Sequence, residues 1–180
     1  MPFSVDAFDH WVSTMIGILQ PATVLDIGPG AGKYGRMVRE ISAKSEFKTR
    51  TTAIEIDASY VETFQLRDIY DEIIIDDALN LIRNPRCRFD LVIIGDCIEH
   101  MRKSAGIDLL NFLIYRAGYV CVIYPDRYVQ DDWEGHAAEA HISTWSLADF
   151  NDWNVLHHCW SGMHMFLLKG HQPSRMVITS

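Results

Sequence analysis

The chain has 180 residues, of which 48% are hydrophobic, and its 24 Asp and Glu outweigh 16 Lys and Arg to give a formal net charge of −8. That length and composition predict one domain, residues 1–180, with a single well-buried core, and exclude a disordered or low-complexity chain. The acidic balance argues against a nucleic-acid backbone as the main partner, no apolar run is long enough to span a bilayer, and four scattered cysteines, mostly in strand-like runs, predict packed, reduced thiols in a cytoplasmic protein.

Phe8, Trp11, Val12, Met15, Ile16 and Leu19 recur at helical spacing, predicting an amphipathic helix within residues 1–20 that Pro21 ends. The start of the chain carries Asp6 and Asp9 and no basic stretch, unlike a signal peptide. Val24–Ile27 reads as a buried parallel strand. It leads into Gly28, Gly30 and Gly32 and then a helix with Tyr34, Met37, Val38 and Ile41 on its inner face. Glycines there let the chain turn sharply and bring bare backbone against a ligand, at the strand end where open α/β sheets bind cofactors.

Three glycine-loop patterns compete for this stretch. A phosphate-cradling P-loop fails, because Ile27 stands where its first glycine belongs and Tyr34 follows Lys33 in place of Ser or Thr. A dinucleotide fingerprint exists as Gly30, Gly32 and Gly35, and alone it is a weak signal. The third pattern places Asp26 two residues before the first of three alternating glycines. A carboxylate so close to the turn suits a cofactor carrying an ammonium group and suits a pyrophosphate poorly, since like charges would meet.

Thr51–Asp57 reads as a second strand ending in acids, with Asp57 opening a short helix that buries Tyr60, Val61 and Phe64. Glu72–Ile75 is a third strand, followed by Asp76, Asp77 and Ala78, with helix capping the favoured role for Asp76. Phe89–Gly95 is a fourth, running into Asp96, Cys97, Ile98, Glu99 and His100; Cys97 reads as a packing residue. A helix from Ser104 to about Ala117 should face Ile107, Leu110, Leu113 and Ile114 inward and stop at Gly118. Tyr119–Tyr124 is a fifth strand halted by Pro125. Last, Trp153–Trp160 and Met163–Leu168 flank Ser161-Gly162, a two-residue turn that predicts a hairpin.

These motifs, in this order, resemble the class I S-adenosylmethionine-dependent methyltransferases, in particular the small-molecule branch of the ubiquinone-biosynthesis type. The resemblance runs from about Thr23 to Lys169. It implies an α/β three-layer sandwich with a mostly parallel seven-stranded sheet, order 3-2-1-4-5-7-6, closed by an antiparallel C-terminal hairpin. It implies S-adenosylmethionine as cofactor, with Asp26, Gly28, Gly30 and Gly32 in the first motif. Glu55 would then accept from both ribose hydroxyls, Asp77 from the adenine amino group, and the Ala78 backbone would meet the ring edge. Asp96 falls at the methionine end or against the acceptor. The Asn/Asp-Pro-Pro-aromatic tetrad of amino-methylating enzymes is absent, with Gly95-Asp96-Cys97-Ile98 in its place.

Residues 126–145 are long, acidic, aromatic and rich in histidine, which marks a substrate loop, mobile when empty and closing over the acceptor. His136, Glu139 and His141 match no zinc signature, and no metal is expected. His141, His100 and Asp96 are the candidate catalytic residues, since imidazole titrates near neutral pH and a base is needed when the acceptor must lose a proton. A loop histidine anchoring Trp145 or a backbone group is the competing reading of His141, and a plain hydrogen-bonding role that of His100. The expected partner is a small-molecule acceptor, with no nucleic acid and no membrane. The alternatives are a non-catalytic S-adenosylmethionine-binding module, a methyltransferase acting on a macromolecule and, last, a nicotinamide oxidoreductase.

Overall fold

The computed structural model describes residues 5–174, so positions 1–4 and 175–180 of the expected domain lie outside the described residues. Strands β1 (Thr23–Ile27), β2 (Arg50–Glu55), β3 (Glu72–Ile75), β4 (Phe89–Gly95), β5 (Ala117–Pro125), β6 (Asn154–Trp160) and β7 (Met163–Lys169) form one sheet. Their order is β3-β2-β1-β4-β5-β7-β6. Pairing is parallel from β3 to β5 and antiparallel where β7 meets β5 and β6. This is the architecture expected from the sequence.

Successive strand side chains alternate between faces, so each central strand feeds two cores. Val24, Leu91 and Ile93 pack beneath α1 (Asp9–Leu19) and α2 (Lys33–Ala43). Leu25, Ile27, Val92 and Ile94 pack on the opposite face against α4 (Lys103–Ile114), together with Trp145 and Phe150. The short α3 (Ala58–Thr63) contributes Val61 to a smaller cluster with Ala53, Leu66, Ile69 and Tyr70. Strands covered on both faces explain why their sequences read as unbroken apolar runs.

The hairpin turn is as read: Ser161 and Gly162 both have positive φ, 51° and 77°, the type I′ geometry that matches strand twist. Three expectations are corrected. Helix α4 ends at Ile114, and Gly118 lies inside β5, where a Cβ would come within 2.8 Å of the Asp90 carbonyl oxygen. The glycine serves a close backbone approach rather than a helix stop. Trp11, placed on the inner face of α1 by its spacing, is 43% exposed and stacks on His158 of β6 with ring centroids 3.7 Å apart. Among the described residues all four cysteines are free, with Cys121 buried and Cys159 exposed rather than packed.

Candidate functional site

A cavity of about 360 Å³ opens at the carboxyl ends of β1, β2 and β4, where the chain leaves the sheet at Gly28, Ile56 and Asp96. Gly28 turns with φ 67° and donates its N–H to the Ile54 carbonyl at 3.0 Å, which ties the loop to β2. A Cβ on Gly28 would come within 2.6 Å of the Cys97 sulfur, so the thiol fills the space the glycine leaves. Burial pushes that thiol well above its usual range, which fits packing rather than nucleophilic chemistry. Gly28, Pro29 and Gly30 line the cavity.

Asp26 and Gly32 do not line it, against expectation. Strand alternation turns Asp26 to the α2 face, where it is 1% exposed and accepts from the Tyr70 hydroxyl. Gly32, at φ 79°, begins α2; a Cβ there would meet Ile69 at 2.6 Å. Both residues shape the turn from beneath.

Glu55 ends β2 on the cavity wall and is 4% exposed. Its Oε1 accepts from the Asp57 N–H at 2.9 Å. Burial raises its pKa, and the Glu139 and Asp57 charges add to this, against lowering hydrogen bonds from the Asp57 and Gly30 backbones. Asp57 caps α3, accepting from the Ser59 N–H at 2.9 Å and the Ser59 hydroxyl at 2.6 Å. The Ser59 side-chain bond is the main reason its pKa lies below the usual range. Its other oxygen lies 2.6 Å from His136 Nδ1, a pairing across the cavity mouth that sequence reading missed.

Asp77 and Ala78 line the cavity after β3. The capping role expected for Asp76 belongs to Asp77, whose carboxylate accepts from the Leu79 N–H at 2.9 Å. Asp76 in turn accepts from the Asp77 N–H and from Asn80. Asp96 follows β4 with φ 49°, a left-handed conformation that Asp adopts more readily than most residues and that often marks a functional turn.

The segment 126–145 packs over this opening. His136, Ala138 and Glu139 form part of the cavity wall. Gln130 donates to the Glu139 carbonyl at 2.7 Å, and the Ile142 and Ser143 N–H groups donate to the Glu99 carbonyl at 3.0 and 3.1 Å. Trp145 is core, not loop: it is 5% exposed and its Nε1 donates to the Ile98 carbonyl and to Ser143 Oγ. His136 and His141 do not converge; His136 goes to Asp57, while His141 goes to the far side of His100.

His100 is on the cavity wall and His141 is behind it, the rings edge-to-face at 4.8 Å. Each holds a backbone carbonyl through Nδ1, His100 that of Ala140 at 3.1 Å and His141 that of Tyr128 at 2.8 Å. Burial lowers both pKa values, chiefly by desolvating the imidazolium. Glu99, immediately before His100 in sequence and 2% exposed, is raised well above the carboxylate range by burial and then by the Asp96 charge. The Glu99-His100 pair was visible in the sequence, but its burial was not.

Six carboxylates thus line the cavity: Glu55, Asp57, Asp76, Asp77, Asp96 and Glu139. Among the described lining residues Arg102 alone carries a permanent positive charge. Such a lining favours a cationic guest and disfavours a polyphosphate.

No family model matches the chain, and no curated protein does. Among solved structures it is similar to an O-methyltransferase family protein from Burkholderia thailandensis, with TM-score 0.64 and 12% identity over 89% of this chain and 54% of that one. It is also similar to the plantazolicin methyltransferase BpumL, solved in complex with SAH, with TM-score 0.60 and 16% identity over 92% of this chain and 86% of that one. An rRNA methylase from Escherichia coli aligns with TM-score 0.60 and 18% identity over 91% of this chain and 63% of that one. The chain spans little more than half the length of the Burkholderia protein. At these identities the likeness establishes the fold, that of the class I methyltransferases.

Proposed function

We propose that this chain transfers the methyl group of S-adenosylmethionine to a small-molecule acceptor. The observation that carries this is the acidic cavity at the carboxyl ends of β1, β2 and β4, floored by Gly28–Gly30 and walled by Glu55. The cofactor is a sulfonium with a free ammonium, so it brings positive charge to a wall of carboxylates. Glu55 takes the ribose hydroxyls, since a carboxylate accepts from two neighbouring donors at once. Asp77 and the Ala78 backbone take the adenine edge. Gly28 and Gly30 let the methionine portion lie against backbone, with Asp96 beside the sulfonium.

Asp96 and His100, on the cavity wall, form the acceptor end, and we propose them as the catalytic residues together with His141, which stands behind His100 and acts through it. Methyl transfer from a sulfonium needs alignment in a dry pocket more than chemical activation. The Nδ1 contacts of both histidines leave Nε2 as the basic nitrogen of each neutral ring. The segment 126–145 supplies the roof that excludes water. An RNA acceptor is disfavoured by the net charge of −8 and by the acidic cavity. Free thiols and the lack of any described helix long and apolar enough to cross a membrane support a cytoplasmic location.

Calorimetric titration tests the reading. S-adenosylmethionine and its product S-adenosylhomocysteine (SAH) should bind at micromolar affinity, and NAD and ATP should not. Ligand at a hundredfold excess over its dissociation constant should add about 2.7 kcal/mol of stability. Binding of NAD with no response to either sulfur nucleotide would falsify the assignment.

A further inference from the structure

Glu99, His100 and His141 bring one carboxylate and two imidazole ligand atoms within 4.8 Å of one another beside the cavity wall. Glu99 is buried, yet neither of its side-chain oxygens has a hydrogen-bond partner. His141 Nε2 stands 3.9 Å from Glu99 Oε1, too far for a hydrogen bond. Buried polar groups are nearly always satisfied, and a native one without a partner points to something that completes it.

The histidines are set up to complete it. A carbonyl only accepts, so the Ala140 and Tyr128 carbonyls fix the proton of each ring on Nδ1. Each Nε2 keeps its lone pair, which is the arrangement that orients metal-ligating histidines elsewhere. The scaffold is tied as well, because Ile142 and Ser143 hang from the backbone carbonyl of Glu99 itself. That bond holds the stretch bearing His141 against the turn bearing Glu99 and His100.

We propose that Glu99, His100 and His141 form a binding site for one divalent first-row transition-metal ion. Two imidazoles and a carboxylate suit Zn²⁺, Fe²⁺, Co²⁺ or Mn²⁺, whereas Mg²⁺ and Ca²⁺ prefer oxygen-rich shells. Ligands on bonds of 2.0–2.2 Å in a tetrahedron lie about 3.4 Å apart, so the groups need to close by roughly 1 Å. Three protein ligands leave a coordination position open, as in catalytic rather than structural sites. His100 is the ligand shared with the cavity wall, which puts the site next to the acceptor end.

The use of this ion rests on the methyl-transfer reading. It selects acceptors carrying a hydroxyl. The bound hydroxyl loses its proton to water before the roof closes, and the oxygen, now an alkoxide or phenolate, attacks the methyl carbon. The O–C bond forms as the C–S bond breaks, and the bonding pair returns to sulfur to give the neutral thioether. A bound cation lowers the pKa of such an oxygen and so removes the need for a strong base.

The experiment uses the whole chain, stripped with chelator and titrated with Co²⁺, Zn²⁺, Mn²⁺ and Mg²⁺. Co²⁺ should bind one equivalent with visible d–d bands and without the near-ultraviolet thiolate absorption that a site at Cys159 would give. Zn²⁺ should compete with it, and Mg²⁺ should not. Glu99→Gln and His141→Gln should each weaken Co²⁺ binding at least tenfold, while His164→Ala on the hairpin should leave it unchanged. SAH binding to the same variants, by calorimetry, reports that the fold and cofactor cavity are intact. Absence of a one-equivalent Co²⁺ site in the wild-type chain overturns the proposal, as does a site that survives in both variants or disappears in His164→Ala. Metal binding without SAH binding leaves the site standing and removes the methyl-transfer reading instead.

Discussion

The Tyr70 hydroxyl donates to the Asp26 carboxylate at 2.5 Å and accepts from the Gly35 N–H at 3.1 Å. One phenol thereby braces β1, the first turn of α2 and the chain entering β3. It also explains Gly35, where a Cβ would meet the Tyr70 ring at 2.3 Å. The acid of the glycine motif is thus a support under the turn, and its second oxygen, Oδ1, has no hydrogen-bond partner.

Burial raises the Asp26 pKa from 3.8 to about 7, outweighing the lowering bond from Tyr70, with the Glu55 charge adding to the rise. The folded state therefore holds a proton that the unfolded chain has released. Stability from this group is full below about pH 4 and declines as pH rises to about 7. At about 1.4 kcal/mol per pH unit across that window, the whole effect is on the order of 4 kcal/mol. Asp26→Asn keeps an acceptor for Tyr70 and abolishes the titration. Urea midpoints measured at pH 5 and pH 8 should differ less in the variant than in wild type, and equal differences would sink the account.

Glu55 and Asp57 sit two residues apart and should fail in different ways. Glu55→Ala should weaken SAH binding by about 1.5–3 kcal/mol, the range for hydrogen bonds to a charged group. Asp57→Ala should instead cost about 1 kcal/mol of folding stability, as expected for loss of a helix N-cap. Paired calorimetry and denaturant titrations on the two variants decide this. If Asp57→Ala loses the greater share of affinity, the ribose carboxylate has been assigned to the wrong residue.

Much of this was written in the chain, for physical reasons. Val24–Ile27 and Phe89–Gly95 read as strands because both faces are covered, and Ser161-Gly162 reads as a turn because both residues must take positive φ. What stayed hidden depends on the partner rather than on the residue. Gly118 answers to the carbonyl of Asp90 on the neighbouring strand, and no helix-stop rule knows that strand is there. Asp26 and Gly32 belong to the motif yet not to the cavity wall, because alternation along β1 and packing against Ile69 decide where they point. Glu99, His100 and His141 are joined only when the segment after β5 folds back onto the turn after β4.

That same fold-back limits which part of the roof can move. Trp145 lies in the core with its ring where a Cβ on Gly106 would sit, 2.7 Å away, and its indole N–H is bound to the Ile98 carbonyl. Midway along the roof, His136 is held by Asp57 in a part-buried pair at the cavity mouth. Opening should therefore be confined to the stretch between Tyr128 and Ala140, with the chain from Ile142 to Trp145 as its fixed base. In hydrogen-exchange measurements, amides of residues 129–139 should exchange much faster than those of 142–145, and SAH should slow the first group and leave the second unchanged. His136→Ala should speed exchange in 129–139 without lowering the global melting temperature. Trp145→Ala should do the reverse, costing about 3–5 kcal/mol of stability as a large core truncation does. Equal exchange across 129–145 in the wild type would mean that the whole segment moves as one body and that Trp145 is no anchor.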